Sequence, residues 1–319
     1  MLALNAVWCG EGDGQGRVVR MSTVARSESM VRRARAYVAL TKPRIIELLL
    51  IATVPAMIVA KQGIPSLSLI AVTVVGGALA AGGANAVNMW FDRDIDAVMK
   101  RTSRRPLVTG EVSATSALVF AVALEAVAFA ILAVGANLLS ALLALAAALF
   151  YVFVYTMWLK RTTVQNIVIG GAAGAMPALV GWAAVRDSLS IVPWLMFAII
   201  FLWTPPHFWG LAFRYSDDYH SANVPMLPSV ASKRRTATEI LVYTVVLAFA
   251  SGALAWLGHF GLIFAGFALV LNLGFVGYAL KLYRTLSQKV AMRVFSYSIT
   301  YLSLLFIGMA LDVVLRGVR

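Results

Sequence analysis

Apolar runs of 18 or more residues recur along this chain from Ile45 to Val314, and that recurrence leaves few folds open. A run of that length is what a helix needs to cross the hydrocarbon of a bilayer. The runs lack the alternation of a transmembrane barrel strand. Spanning helices are therefore expected at about 45–61, 68–91, 116–134, 138–157, 166–184, 189–209, 238–257, 262–281 and 295–314. Composition agrees where it matters. Only 13% of residues are charged, against about 25% in soluble domains, so most of the surface is expected to face lipid. Thr41 is a candidate cap for the first helix, with Pro43 suited to its first turn. The expected fold is all-α integral membrane, a single nine-helix domain over residues 37–319. Residues 1–36 are read as a disordered tail, with Met21 and Met30 as alternative starts. The tail is dominated by Gly, Ser and Arg and has no apolar core of signal-peptide length.

The formal net charge is +13. In a soluble chain that would suggest a nucleic-acid partner. Here the basic residues sit between apolar spans, so they are read as orientation and anion handling, with the lipid bilayer and no nucleic acid as partner. With the N-terminus inside, 23 of the 27 Lys and Arg residues fall on the inner side. A multi-pass protein of the plasma membrane follows, with N-terminus and active site cytoplasmic and the C-terminus outside. Glu11, Asp13 and Glu28 weaken a mitochondrial presequence reading of the tail. Cys9 is the only cysteine, which excludes a disulfide framework, a thiolate zinc site and an iron–sulfur cluster within one chain.

Two inner connections are long, at about 92–115 and 210–237. One follows the second helix and the other the sixth, a spacing that suggests two related halves. Asp92, Asp94, Asp96, Asp217 and Asp218 lie in these loops, so the active site is expected where the loops meet. If the second helix continues past Phe91, Asn88, Asp92 and Asp96 share one face, and Asp94 points nearly the other way. Two carboxylates one turn apart suit magnesium, whose other positions go to water and substrate phosphate oxygens. Lys100, Arg101, Arg104 and Arg105 follow and could neutralise a departing diphosphate. They could equally be a solvated, orienting loop.

In the second loop, Pro205 and Pro206 are expected to break the sixth helix. Arg214 and Asp218 are one turn apart, as a simple ion pair or as a phosphate grip beside a second metal carboxylate. His207 could ligate haem iron or pack on Trp203. A third cluster comprises Tyr151, Tyr155, Lys160, Arg161, Thr162 and Asn166. Gly170, Gly171, Gly174 and Gly181 follow, either for close helix contact or as room for an isoprenoid tail. Glu47 could pair with Lys42 or Arg44, or touch substrate.

The spacing Asn88-x3-Asp92-x3-Asp96 resembles the first aspartate motif of the UbiA superfamily of intramembrane prenyltransferases. Other stretches resemble its haem branch, the protohaem IX farnesyltransferases. These are Leu40-Thr-Lys-Pro-Arg44, Asn88 through Leu107, Tyr155 through Asn166, Trp203-Thr-Pro-Pro-His-Phe-Trp209, and Asp218-Tyr219 through Pro228. The resemblance covers about residues 37–315. It implies nine helices around a central cavity, with farnesyl diphosphate and haem b as substrates and Mg2+ as cofactor. The product implied is haem O, passed toward a haem A synthase. It also implies roles. Asp92 and Asp96 hold metal, Asn88 supports them, and Asp218 assists. Lys100, Arg101, Lys160, Arg214, Lys42, Arg44, Tyr219 and Asn166 contact substrate, and His207 orients the haem. The adjacent acids Asp217 and Asp218 depart from the superfamily's second motif, and Asp218 is the better match. Two other readings remain: a UbiA branch acting on a quinone precursor, and an anion or lipid-headgroup transporter.

Overall fold

The computed structural model describes residues 30–317, without the side chains of residues 44–50. The contacts expected of Arg44 and Glu47 lie outside the described residues. Among the described residues every regular element is a helix. They are α1 (30–41), α2 (Pro43–Lys61), α3 (Leu67–Phe91), α4 (Arg93–Val98), α5 (Ala114–Gly135), α6 (Leu138–Thr162), α7 (Asn166–Arg186), α8 (Ile191–Ala212), α9 (Ser216–Ser221), α10 (Leu227–Val230), α11 (Lys233–Leu257), α12 (Leu262–Thr285) and α13 (Gln288–Gly317). Eight of these are long and apolar enough to cross a membrane. The 19-residue α2 lies where the first span is expected, and its apolar stretch Ile51–Lys61 is shorter than the other eight. The outer faces carry Val134, Phe249, Trp256 and Leu262 fully in the open, as a lipid-facing surface requires.

Three expectations about helix ends are corrected. The ordered chain begins before residue 37, because α1 is amphipathic. Its Ala36 and Leu40 pack with Ala86 and Met89 of α3 and Ala117 and Ala121 of α5, Tyr37 meets Phe120 edge-on at 5.0 Å, and Arg32, Arg33 and Arg35 stay exposed. Thr41 does not cap α2. Its hydroxyl donates to the Val38 carbonyl, closing α1, and Lys42 takes the N-cap position in a left-handed conformation, φ 53°. Pro43 does occupy the first turn. Finally, α8 runs through Pro205 and Pro206 to Ala212 without a break. Proline removes only its own donor and crowds the carbonyl four residues back. Here the flanking turns are held by packing: Trp203 donates to the Ser298 carbonyl at 2.7 Å, Trp209 is buried, and Gly210 lies against the backbone of α13.

The centre of the bundle is a ring in which α2 packs on α7, α7 on α8, α8 on α13 and α13 on α2, with α3, α5 and α6 on one flank and α11 and α12 on the other. Lipid tails are as apolar as leucine, so such packing relies on close approach through small residues. In α7, a Cβ at Gly171 would stand 3.0 Å from Thr204 of α8, and one at Gly181 would stand 2.5 Å from the Thr53 carbonyl of α2. Gly174, between them, has nothing within 4 Å. The contact reading of the glycine run holds at Gly171 and Gly181, while Gly174 has open space beside it. Accordingly, Gly181→Ala should destabilise the protein by about 1–3 kcal/mol through overpacking. Gly174→Ala should leave stability unchanged or raised. Thermal unfolding of the two variants in detergent checks the contrast.

Candidate functional site

The helix α3 ends at Phe91, and α4 restarts at Arg93 after a single hinge residue, Asp92. The hydrogen-bond ladder nevertheless crosses the hinge. The Asp92 amide donates to the Asn88 carbonyl at 2.9 Å, and the Asp96 amide donates to the Asp92 carbonyl at 2.8 Å. Asn88, Asp92 and Asp96 therefore stay on one face, and all three are buried. Asp94 points away, with its side chain 60% exposed.

A buried carboxylate survives only when paired and hydrogen-bonded. Asn88 Nδ2 donates to Asp92 Oδ2 at 2.7 Å and to Thr156 Oγ1 at 3.1 Å. Lys42 Nζ donates to Asn88 Oδ1 at 2.6 Å. Lys160 closes on Asp92, and Arg105 pairs with Asp96 at 2.5 Å. Arg161 grips both oxygens of Asp94, at 2.7 and 2.8 Å, and stands 3.6 Å from Asp92 Oδ1. Four cations thus face three carboxylates. The crowding has electrostatic consequences. Burial, then the nearby Arg105 and Lys160, push the Lys42 ammonium well below the ordinary lysine range. The hydrogen bonds from Arg161 hold the Asp94 carboxyl at about 2. A site in which cations crowd one another in this way is suited to an anion.

The cations of α6 reach α3 through an unusual backbone. Residues Phe150–Leu159 form a π-helix, and the Lys160 amide still reaches the Tyr155 carbonyl five residues back. Residues five apart diverge by about 140° in an α-helix and by much less in the wider turn of a π-helix, whose hydrogen bonds join residues five apart. Tyr151, Thr156 and Arg161 are spaced by five. All three face α3 in turn: Tyr151 donates to Asn85 at 3.4 Å, Thr156 accepts from Asn88, and Arg161 donates to the Phe91 carbonyl at 3.2 Å.

The two long loops meet, as expected. Arg101 lies over the Tyr215 ring at 6.0 Å and its charge acts on the buried Tyr219 hydroxyl, whose phenol is pushed up chiefly by burial. Ile95 and Met99 share one apolar cluster with Tyr219, Val224 and Met226. Asn166 is buried and donates to Pro225's carbonyl at 3.3 Å. The expected residues divide, however. Asn88, Asp92, Asp96, Lys42 and Lys160 converge. Lys100 is exposed and makes no ion pair, and Arg214 is exposed over Tyr215. Asp218, half-buried, forms no ion pair with Arg214. Among the described residues no three His, Cys, Asp or Glu side chains converge on one metal position, so Asp218 stands apart from the Asp92/Asp96 pair. His207 stacks on Trp203, centroids 4.2 Å apart. Arg105 and Arg161 also belong to the cluster, each named from the sequence only within a larger group, and Thr156 joins them without having been singled out. Arg105 sits within a basic run whose members look alike in sequence. Thr156 carries no signal at α-helical spacing.

The donor set fits a magnesium ion. Two carboxylates on adjacent turns is the usual protein share of such a site, and Asp92 Oδ1 is buried with no hydrogen-bond partner.

Residues 49–307 match the UbiA prenyltransferase family. The protoheme IX farnesyltransferase of Kineococcus radiotolerans is 52% identical over 302 residues, covering 89% of this chain and 89% of that protein. Protoheme IX farnesyltransferase 1 of Saccharopolyspora erythraea is 52% identical over 280 residues, covering 87% and 89%. Among solved structures, a UbiA homolog from Archaeoglobus fulgidus bound to GPP and Mg2+ has a TM-score of 0.61 at 17% identity, covering 86% of this chain and 99% of that one. At that identity it is a likeness of fold.

The pairing of Lys160 with Asp92 is open to a thermodynamic test. Lys160→Ala leaves a buried carboxylate short of its partner and should cost about 3 kcal/mol of stability. Adding Asp92→Asn removes the stranded charge, so the double variant should recover most of that loss. A double-mutant cycle on unfolding in detergent reads the coupling.

Proposed function

The chain belongs to the UbiA prenyltransferase family, and on that premise we propose that it transfers a farnesyl group from farnesyl diphosphate to a vinyl group of haem b, giving haem O and diphosphate. The observation that carries the prenyl-transfer part is the buried Asn88–Asp92–Asp96 face ringed by Lys42, Arg105, Lys160 and Arg161. The haem acceptor and the farnesyl donor are supported by relatives at about half identity over most of their length.

Asp92 and Asp96 would hold a magnesium ion, which when bound neutralises charge on the diphosphate and makes it a better leaving group. The chain's own residues do the rest. Lys160 and Arg105, now spent on the carboxylates, would turn to the phosphate oxygens as negative charge builds there. Lys42 holds the Asn88 side chain, and Asn88 in turn holds Asp92. Arg161 is anchored on Asp94 outside the buried face and keeps α6 in register with α3. The allylic C1–O bond of the donor breaks, and its C1 bonds to the vinyl carbon. Water adds to the cation left on the porphyrin side and gives up one proton, leaving a hydroxyethylfarnesyl substituent. His207 orients the haem through its iron. Asp218 and Arg214 contribute from the second loop.

The segments on the long-loop side hold 23 of the 27 Lys and Arg residues, which supports a cytoplasmic site in a plasma membrane. Membranes containing the protein, incubated with haem b, farnesyl diphosphate and Mg2+, should yield a more hydrophobic haem with the mass of the hydroxyethylfarnesyl adduct. Asp92→Ala should yield none. Product only with an aromatic acid acceptor would move the chain to the quinone branch. No prenylated product with any acceptor, from folded wild-type protein, would remove the enzyme reading.

A further inference from the structure

The ring of His207 is held by one hydroxyl, and the bonding of that hydroxyl decides which imidazole nitrogen is free. Ser298, on α13, is fully buried. Its Oγ donates to the Phe295 carbonyl at 2.6 Å and lies 2.7 Å from His207 Nδ1. A hydroxyl has one proton to give. The carbonyl can only accept, and an O···O approach of 2.6 Å without a proton between the atoms is repulsive. The Ser298 proton therefore belongs to Phe295, and His207 Nδ1 must carry its own proton and donate it to Ser298 Oγ. That leaves Nε2 unprotonated. Among the described residues it has no hydrogen-bond partner, and it is not among the nitrogens sealed inside the fold.

The surroundings favour a neutral ring with an available lone pair. Trp203 stacks on one face, 4.2 Å away, and Phe295 tilts against the ring at 4.8 Å. Among the described residues no carboxylate pairs with His207 to draw a second proton onto it. Trp203 is itself tied to Ser298, but through the main chain, its Nε1 donating to the Ser298 carbonyl. Two rings of α8 are thus positioned from one residue of α13, one by its hydroxyl and one by its backbone. A neutral imidazole whose Nδ1–H is engaged by an oxygen, and whose Nε2 is free, is the arrangement metal-ligating histidines adopt.

We propose that Ser298 is a positioning residue that locks His207 in its Nδ1–H form so that Nε2 ligates the iron of the porphyrin substrate. The proposal rests on the haem reading above. It assigns a role to a residue on the last helix, some ninety positions from the histidine, outside both aspartate loops.

The test is titration of purified protein with haem b, read by the Soret band and by resonance Raman, in wild type and three variants. Wild type should show histidine-ligated iron, and His207→Ala should lose that ligation. Ser298→Ala should weaken haem affinity by roughly 10–100-fold and shift the spectrum away from wild type. Its thermal unfolding should stay near wild type, because the Trp203 bond uses the carbonyl. Ser298→Thr keeps a hydroxyl and should restore affinity and spectrum together. A Ser298→Ala protein with wild-type affinity and spectrum overturns the role of Ser298 while leaving His207 standing. If His207→Ala is also indistinguishable from wild type, the iron-ligand assignment falls too. Wild-type protein that binds no haem overturns the proposal together with the haem reading beneath it.

Discussion

Removing a carboxylate such as Asp92 completely from water costs several kcal/mol unless cations and hydrogen-bond donors surround it. The loop-rich end of this bundle is arranged around that demand. Asn88 reaches forward along α3 to one oxygen of Asp92, and Lys160 crosses from α6 to the same oxygen. Asp96, a turn further on, draws Arg105 back from the loop that follows. Neither helix holds such an acid alone. The pairing ties α3, α6 and the first loop into one unit, and the same groups are what a metal-bound diphosphate would meet. On the proposed function, stability and recognition use the same charges, and the interactions that let the site fold also prepare it for an anion.

The backbone of α6 is shaped to this purpose. Ten residues of π-helix, Phe150–Leu159, carry Tyr151 and Thr156, with Arg161 just beyond their end, and the three side chains meet α3 at Asn85, Asn88 and Phe91. Longer π segments are rare and concentrate at functional sites. The physical reason is visible in this case: an α-helical segment would turn Thr156 and Arg161 away from Tyr151 by about 140° at each step. The glycines of α7 complete the frame from the other side, with Gly171 admitting Thr204 and Gly181 admitting the backbone of α2.

Much of this was legible in the chain. The spans follow from run length, and the shared face of Asn88, Asp92 and Asp96 follows from helical period, because both are local properties. Lys160 could be placed only in a cluster, since its partner lies 68 residues away. Arg105 could not be told from Arg101 or Arg104, because choosing among them requires the fold of the loop. Thr156 was invisible, as its role exists only at a π-helical spacing that no local pattern announces. Pro205 and Pro206 were misread for a related reason. Local rules set the penalty for proline in a helix, and tertiary contacts at Trp203, Trp209 and Gly210 decided that the helix continues. Asp218 and Arg214 matched by motif, yet the fold leaves them apart from the first motif's charges.

The central claim is that Asp92 and Asp96 receive the diphosphate through a metal, with Lys160 and Arg105 as its direct partners. Equilibrium binding of farnesyl thiodiphosphate, an unreactive donor analogue, tests this without any turnover. The account predicts binding in Mg2+ that weakens at least about tenfold when the metal is chelated, one lost neutralising contact at an ion being worth roughly 1.4 kcal/mol or more. Asp96→Asn should weaken binding in Mg2+ and abolish the difference that chelation makes. Analogue binding that is indifferent to both the metal and the aspartate would contradict the account.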